Sequence, residues 1–253
     1  MKALRCGRKR DILRGMKEKK PYMRLDRLLS QATGLSRKQA GIEIRKKRVK
    51  VAGEVVRDSA RLVDPGAEVA WRDEKVALPG GLYLMLYKPA GVVCARSDAE
   101  HATVLDLLPP EVAQRVHIVG RLDKDTTGLL LLTDDGDWSH RITSPRHGCA
   151  KTYRAELAEA LPADAGQRFA EGILLRNEKQ PTRPATLERI GERSARVILH
   201  EGRYHQVRRM FAALGNHVTG LHREAVGGLQ LDAEMVPGQW RELSDAEREG
   251  LVA

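Results

Sequence analysis

No apolar run in this 253-residue sequence approaches 18 residues. That excludes a membrane-spanning helix of ordinary length, since the apolar stretch Leu129 to Leu132 is only strand-length. The basic N-terminus is followed by no apolar run either, which excludes a secretory signal. Cysteine is sparse: Cys6, Cys94 and Cys149 are widely separated and form no CxxC pair. This argues against a disulfide framework and a structural zinc site, and predicts a cytoplasmic protein with ordinary thiols. The histidines show no metal-ligand spacing, so no metal is expected. A Walker loop, a GxGxxG turn and an HExxH helix are also missing, and no cofactor is expected. There is no internal repeat.

What the chain has in excess is positive charge, unevenly spread. The formal net charge is +10. Residues 1–22 carry nine Lys/Arg against two acids, and residues 23–72 carry twelve against six. The remaining 181 residues hold twenty-three against twenty-six, a net of −3. Two basic N-terminal segments on a nearly neutral body point to electrostatic docking on a polyanion, with chemistry elsewhere. For residues 1–22 alone, a solvated charged tail is an equal alternative.

Residues 1–22 lack apolar periodicity and read as a basic disordered extension. Patterned sequence starts at Met23, so translation is expected to begin there, with residues 1–22 a mis-called start or a dispensable extension. From there, Leu25, Leu28, Leu29 and Ala32 share one helical face, and Gly34 is a stop. Ser36 with Gln39 forms a capping box opening a second, cationic helix that runs into Arg45-Lys46-Lys47-Arg48. Val49 to Val51, a turn at Ala52-Gly53 and Glu54 to Val56 read as a hairpin. Asp64-Pro65-Gly66 turns the chain into Glu68 to Trp71. A linker is assigned to residues 73–81, with a turn at Pro79-Gly80-Gly81, and a second domain to 82–253.

In that second domain Leu82 to Pro89 reads as a buried strand closed by a proline turn. Strand-like runs recur at 127–133, 151–157, 185–190, 195–200, 218–225 and 228–231. Helical patterns fall at about 104–108, 163–172 and 204–214, the last closed by Gly215. The order does not alternate, so an α+β fold with a mainly antiparallel sheet and flanking helices is expected.

Between two strand-like runs lies Val119-Gly120-Arg121-Leu122-Asp123-Lys124-Asp125-Thr126-Thr127-Gly128. A carboxylate at the tip of so short a loop is held firmly yet exposed, which suits a nucleophile or general base. Turn composition alone explains the same residues, because turns need Asp and Gly. Asp134 and Asp135, before Gly136, read as ordinary turn residues.

The loop closely resembles the signature of the pseudouridine synthase family, in the branch that modifies ribosomal RNA. The likeness continues through Thr133-Asp134-Asp135-Gly136-Asp137-Trp138-Ser139-His140-Arg141-Ile142-Thr143-Ser144-Pro145-Arg146-His147, Lys151-Thr152-Tyr153 and Glu201-Gly202-Arg203-Tyr204-His205-Gln206-Val207-Arg208-Arg209-Met210-Phe211. The block ending at His147 is similar to members acting on the small ribosomal subunit. The ordered blocks run from about Met23 to the C-terminus. Residues 23–72 similarly resemble the S4 RNA-binding module.

That resemblance implies a small S4-like RNA-binding domain followed by a synthase domain whose bent, mixed sheet holds the site. It implies isomerisation of uridine to pseudouridine in 16S ribosomal RNA, at uridine 516, on naked RNA or a small-subunit assembly intermediate. The protein is expected to act as a monomer, without membrane or cofactor. Asp123 becomes the essential carboxylate, attacking C1′ or taking a proton from C2′. Arg208 becomes the cation paired with it, with Arg203 as rival; relatives commonly carry lysine at position 208. Tyr153 becomes the ring that stacks on the target uracil, and Arg121 the side chain filling the space vacated when the base flips out. Asp125 is read as structural, holding the turn through Thr126 or Thr127, while His205 and Gln206 shape the pocket. In the S4-like module, Arg24, Arg37, Lys38, Arg45, Lys46 and Arg48 are the expected phosphate contacts.

Three other readings remain open. One is a synthase for large-subunit RNA, and a second is a non-catalytic ribosome-assembly factor using the basic module. The third is a glycoside hydrolase, which would need two acids flanking the scissile bond.

Overall fold

The computed structural model describes residues 22–64, 67–76 and 80–252. The expected disordered extension lies outside these residues except at Tyr22. So do Pro65-Gly66 and Pro79 of the two expected turns. The chain divides between Gly80 and Gly81 into two compact units.

The first unit opens with helices Leu25–Thr33 and Arg37–Arg45. Leu25, Leu28 and Leu29 form the buried stripe of the first, packed with Ala40 and Ile44 of the second and with Val49 and Val69. Gly34 ends the first helix in the left-handed conformation, φ 75°, its N–H donating to Ser30 O. Ser36 and Gln39 form the capping box reciprocally. The cationic helix is shorter than the basic run, stopping at Arg45. Lys47 then takes φ 62° and turns the chain into the hairpin.

Four antiparallel strands lie in the order Glu54–Val55, Val49–Val51, Val69–Trp71 and Glu74–Val76. The last lies within residues 73–81, assigned above to a linker, and pairs with Val69–Trp71. Glu43, almost fully buried, is the polar hub of this unit. It accepts Trp71 Nε1 at 2.9 Å and ion-pairs with Arg48 and Arg72.

The second unit is built on a sheet in the order Thr186–Gly191, Ser194–Leu199, Lys151–Leu157, Val218–Val226, Thr127–Thr133, Tyr83–Lys88, Trp240–Glu242. Strands His117–Val119 and Leu229–Gln230 add to it at Thr127–Thr133 and Val218–Val226. Between the strands of this sheet, among the described residues, one pairing is parallel, Val218–Val226 on Thr127–Thr133, and the rest are antiparallel. Leu130 and Leu132 face one core, and Leu129 and Leu131 the other. A strand buried on both faces must be apolar at every position, which is why this run does not alternate.

Asp134 and Asp135 do more than form a turn. Asp134 accepts the Leu82 N–H and pairs with Arg115 at 2.8 Å. Asp135 caps helix Gly136–Thr143, taking the N–H groups of Asp137 and Trp138. That helix carries the buried Trp138, whose Nε1 donates to Arg248 O.

Candidate active site

The loop bearing Asp123 leaves strand His117–Val119 through Gly120, φ 70°, and returns as strand Thr127–Thr133. Leu122 anchors it in the core, and Thr126 N–H donates to Asp123 O to close the turn. The strongest restraint comes from elsewhere in the chain. Lys88, with no exposed surface, donates from Nζ to Pro89 O, Lys124 O and Thr126 O at 2.8–2.9 Å. Burial pushes its ammonium below the ordinary lysine value. The three carbonyls meanwhile use all three of its donors. Asp125, expected to hold this turn, is exposed and contributes no hydrogen bond among the described residues; Lys88 does that work.

Asp123 stands on the wall of a cavity of about 610 Å³. Its Oδ1 lies 3.4 Å from His205 Nε2 and its Oδ2 3.8 Å from Arg208 Nε. Arg208 sits on helix Gln206–Ala213 and is fixed by Nη1 donating to Val218 O at 3.0 Å. Arg203 lines the cavity but is turned to other partners, donating to Gln180 O and Pro181 O and pairing with Glu178 and Glu201. Arg209 likewise holds Glu178 and two main-chain oxygens. Of the three arginines, Arg208 is the one that faces Asp123.

His205 takes the left-handed conformation, φ 49°, at the start of its helix. The ring of Tyr204 stacks on it at 3.9 Å between centroids, and Tyr204 itself is 73% exposed. Its neighbour Gln206 is buried and braces the preceding loop through Arg203 N and Glu201.

Tyr153, Arg121 and Asp123 all line the cavity. Tyr153 is half-buried on strand Lys151–Leu157 and packs against two cores. Arg121 is exposed, with no bonded partner among the described residues. Two further cavity residues escaped the sequence reading, Lys151 and Arg223. Arg223 sits opposite Tyr153 across an antiparallel pairing, so the two side chains share a sheet face.

In the first unit the expected phosphate contacts separate into two kinds. Arg24 and Arg37 are paired to the buried Asp26, and Arg48 to Glu43. The Arg24 hydrogen bond, with that of Arg37, holds Asp26 below the usual carboxylate range. Lys38, Arg45 and Lys46 are exposed and engaged with no acid among the described residues. Among those residues no His, Cys, Asp or Glu cluster of metal-binding type occurs, and no helix is long and apolar enough to cross a membrane.

A family model described as RNA pseudouridylate synthase matches residues 82–213, and a model of the S4 domain matches 23–69. The ribosomal small subunit pseudouridine synthase A of Escherichia coli (strain K12) is 51% identical over 231 residues. The match covers 91% of this chain and 100% of that protein. The protein of the same name from Yersinia pestis is 49% identical over 226 residues, covering 89% of this chain and 96% of its own. A crystal structure of pseudouridylate synthase is similar with a TM-score of 0.68 at 46% identity. It covers 91% of this chain and 100% of that one.

Proposed function

The chain belongs to the RNA pseudouridylate synthase family and carries an S4 domain, and from that premise we propose that it converts uridine to pseudouridine in 16S ribosomal RNA, at uridine 516. The observation that carries the mechanism is the grouping of Asp123, His205 and Tyr153 on the wall of one cavity, with Arg208 beside the Asp123 carboxylate. The reaction breaks the C1′–N1 bond, turns the uracil and rejoins it through C5, with no net redox change. Asp123 is the carboxylate that attacks C1′ or takes the C2′ proton. Arg208 orients it from the other side, its guanidinium held by Val218 O. Tyr153 offers a ring against which the turning uracil stacks. Arg121, at the mouth of the loop, fills the gap left by the flipped base.

The S4 domain supplies affinity through Lys38, Arg45 and Lys46, with Arg24, Arg37 and Arg48 sharing their charge between phosphate and buried acids. Binding should therefore weaken steeply with salt. A glycoside hydrolase fits the cavity poorly, because among the described residues Asp123 faces the Arg208 guanidinium and the His205 ring and pairs with no second carboxylate.

The deciding experiment incubates the protein with small-subunit RNA and ribonucleoprotein from cells lacking the activity, then maps pseudouridine by carbodiimide labelling and primer extension. A single new stop at uridine 516, absent with Asp123→Asn, is expected. No stop on either substrate, with RNA binding intact and salt-sensitive, would favour the non-catalytic assembly factor.

A further inference from the structure

The floor of the Asp123 cavity carries charge that the protein leaves unbalanced. Arg223 is 3% exposed and pairs with no acid among the described residues. Its Nε donates to Leu129 O at 2.7 Å, while its buried Nη2 has no hydrogen-bond partner among the described residues. Lys151, two residues before Tyr153, gives its ammonium to Cys149 O and Ile142 O and likewise forms no ion pair with an acid among the described residues. Burial pushes the Lys151 ammonium down, and the Arg223 charge adds in the same direction. The two nearby thiols supply no counter-charge, since burial pushes both Cys94 and Cys149 up towards the neutral form.

A buried cation without a partner is costly, and folds rarely retain one that only packs. Arg223 is also held in place. Gly128 pairs with it across the parallel strands, and a β-carbon at Gly128 would collide with the Arg223 main chain. Its cross-strand neighbour on the same face is Tyr153. A base stacked on Tyr153 therefore has its edge towards Arg223.

We propose that Arg223, assisted by Lys151, stabilises the uracil anion released during catalysis. This rests on the function proposed above and names the group that balances its charge. When C1′–N1 breaks, both bonding electrons stay with the uracil, spreading over N1, O2 and O4. Asp123 meanwhile bonds to C1′, or takes the C2′ proton as a C1′–C2′ double bond forms. The anion then attacks C1′ through C5, releasing the Asp123 carboxylate from C1′, or on the other route adds to the double bond as the C2′ proton returns. The C5 proton passes to solvent while N1 takes one up. A positive charge fixed beside the base before the bond breaks lowers the barrier where negative charge develops.

Leaving-group chemistry tests this. Fluorine at C5 withdraws electrons and makes the uracil anion intrinsically more stable, so cleavage of 5-fluorouridine should depend less on Arg223. Single-turnover loss of the target nucleoside is measured by mass spectrometry on RNA carrying uridine or 5-fluorouridine, with wild type, Arg223→Gln and Lys151→Gln. Arg223→Gln should slow uridine by about 100-fold or more, the scale seen on removing one such donor. The loss with 5-fluorouridine should be at least several-fold smaller, with RNA affinity and melting temperature near wild type. Equal losses on both substrates, or none, would overturn the inference. If Arg223→Gln does not fold, Lys151→Gln carries the same comparison with a smaller effect. A wild-type protein that makes no pseudouridine strikes the proposed function instead, whereas wild-type turnover with equal losses strikes this inference alone.

Discussion

The Lys88 ammonium lies 2.9 Å from the main-chain oxygen of Lys124, one residue past Asp123. Two more carbonyls, of Pro89 and Thr126, complete its shell, and none of its surface reaches solvent. Lys88→Met fills the volume but leaves buried acceptors unmet, each worth about 1–3 kcal/mol. A loss of about 3 kcal/mol or more in urea unfolding is expected, with turnover falling further than stability alone explains. A variant within about 1 kcal/mol of wild type would mean that the loop is held by its own turn.

Gly128→Ala should be among the most damaging small substitutions in the second unit. Its φ of 106° is one that L side chains rarely adopt, and a β-carbon would sit 2.7 Å from Arg223 N. Either the parallel strand pairing opens or Arg223 shifts from the cavity floor. Gly34→Ala is the control, with φ 75° and no atom within 4 Å of the added carbon. It should cost only about 1–2 kcal/mol, and comparable midpoints for the two variants would contradict the close approach.

Arg208 and Arg203 should separate kinetically. Arg208→Ala removes the guanidinium facing Asp123 and should cut turnover by about 100-fold, the scale of one lost electrostatic contact at a reacting centre. Arg208→Lys should recover part of that by restoring charge without the fork. Arg203→Ala breaks bonds to Gln180 O and Pro181 O, so its main effect should be a lower melting temperature. Wild-type turnover in Arg208→Ala would transfer the pairing to His205, at 3.4 Å from the same carboxylate.

The parts of this molecule that local rules govern were legible in the sequence. Gly34 and the Ser36–Gln39 box mark helix ends within a few residues, and their geometry follows from those residues alone. Leu129 to Leu132 announced a strand, and the loop at Asp123 announced itself by pattern. Lys88 could not be found that way, because its acceptors lie 36 and 38 residues on and a lysine before proline resembles a strand end. Arg223 reaches Leu129 across 94 positions, so its burial is a property of the sheet order. His205 lines the cavity as a pocket-shaping residue should, but its approach to Asp123 depends on a left-handed backbone that no periodicity signals. The strand Glu74–Val76 was missed because three partly charged residues acquire strand character only through Val69–Trp71.

The C-terminal segment gives a pH prediction with a definite sign. Glu247 lies in the first turn of helix Asp245–Gly250 and completes the capping box of Ser244. Arg241 binds both its oxygens, at 2.8 and 3.0 Å, and with the Ser244 bonds it brings the Glu247 pKa from 4.5 to about 2. Between those values the unfolded chain holds a proton that the folded protein does not, so stability must fall as pH falls. The contribution is complete above 4.5 and disappears as pH approaches 2. Asp26 and Glu43 are also held low, so the wild-type curve alone would mix several carboxylates. The difference in melting temperature between wild type and Glu247→Gln isolates this one. It should be largest near neutrality and close progressively below pH 4.5, whereas a difference independent of pH would show that Arg241 binds the amide as well as the carboxylate. Because Arg241 pairs with Met85 on the strand that ends at Lys88, the same titration should loosen the sheet edge nearest the Asp123 loop's anchor. Hydrogen exchange at Met85 and Tyr87 followed through the acid range would register that coupling.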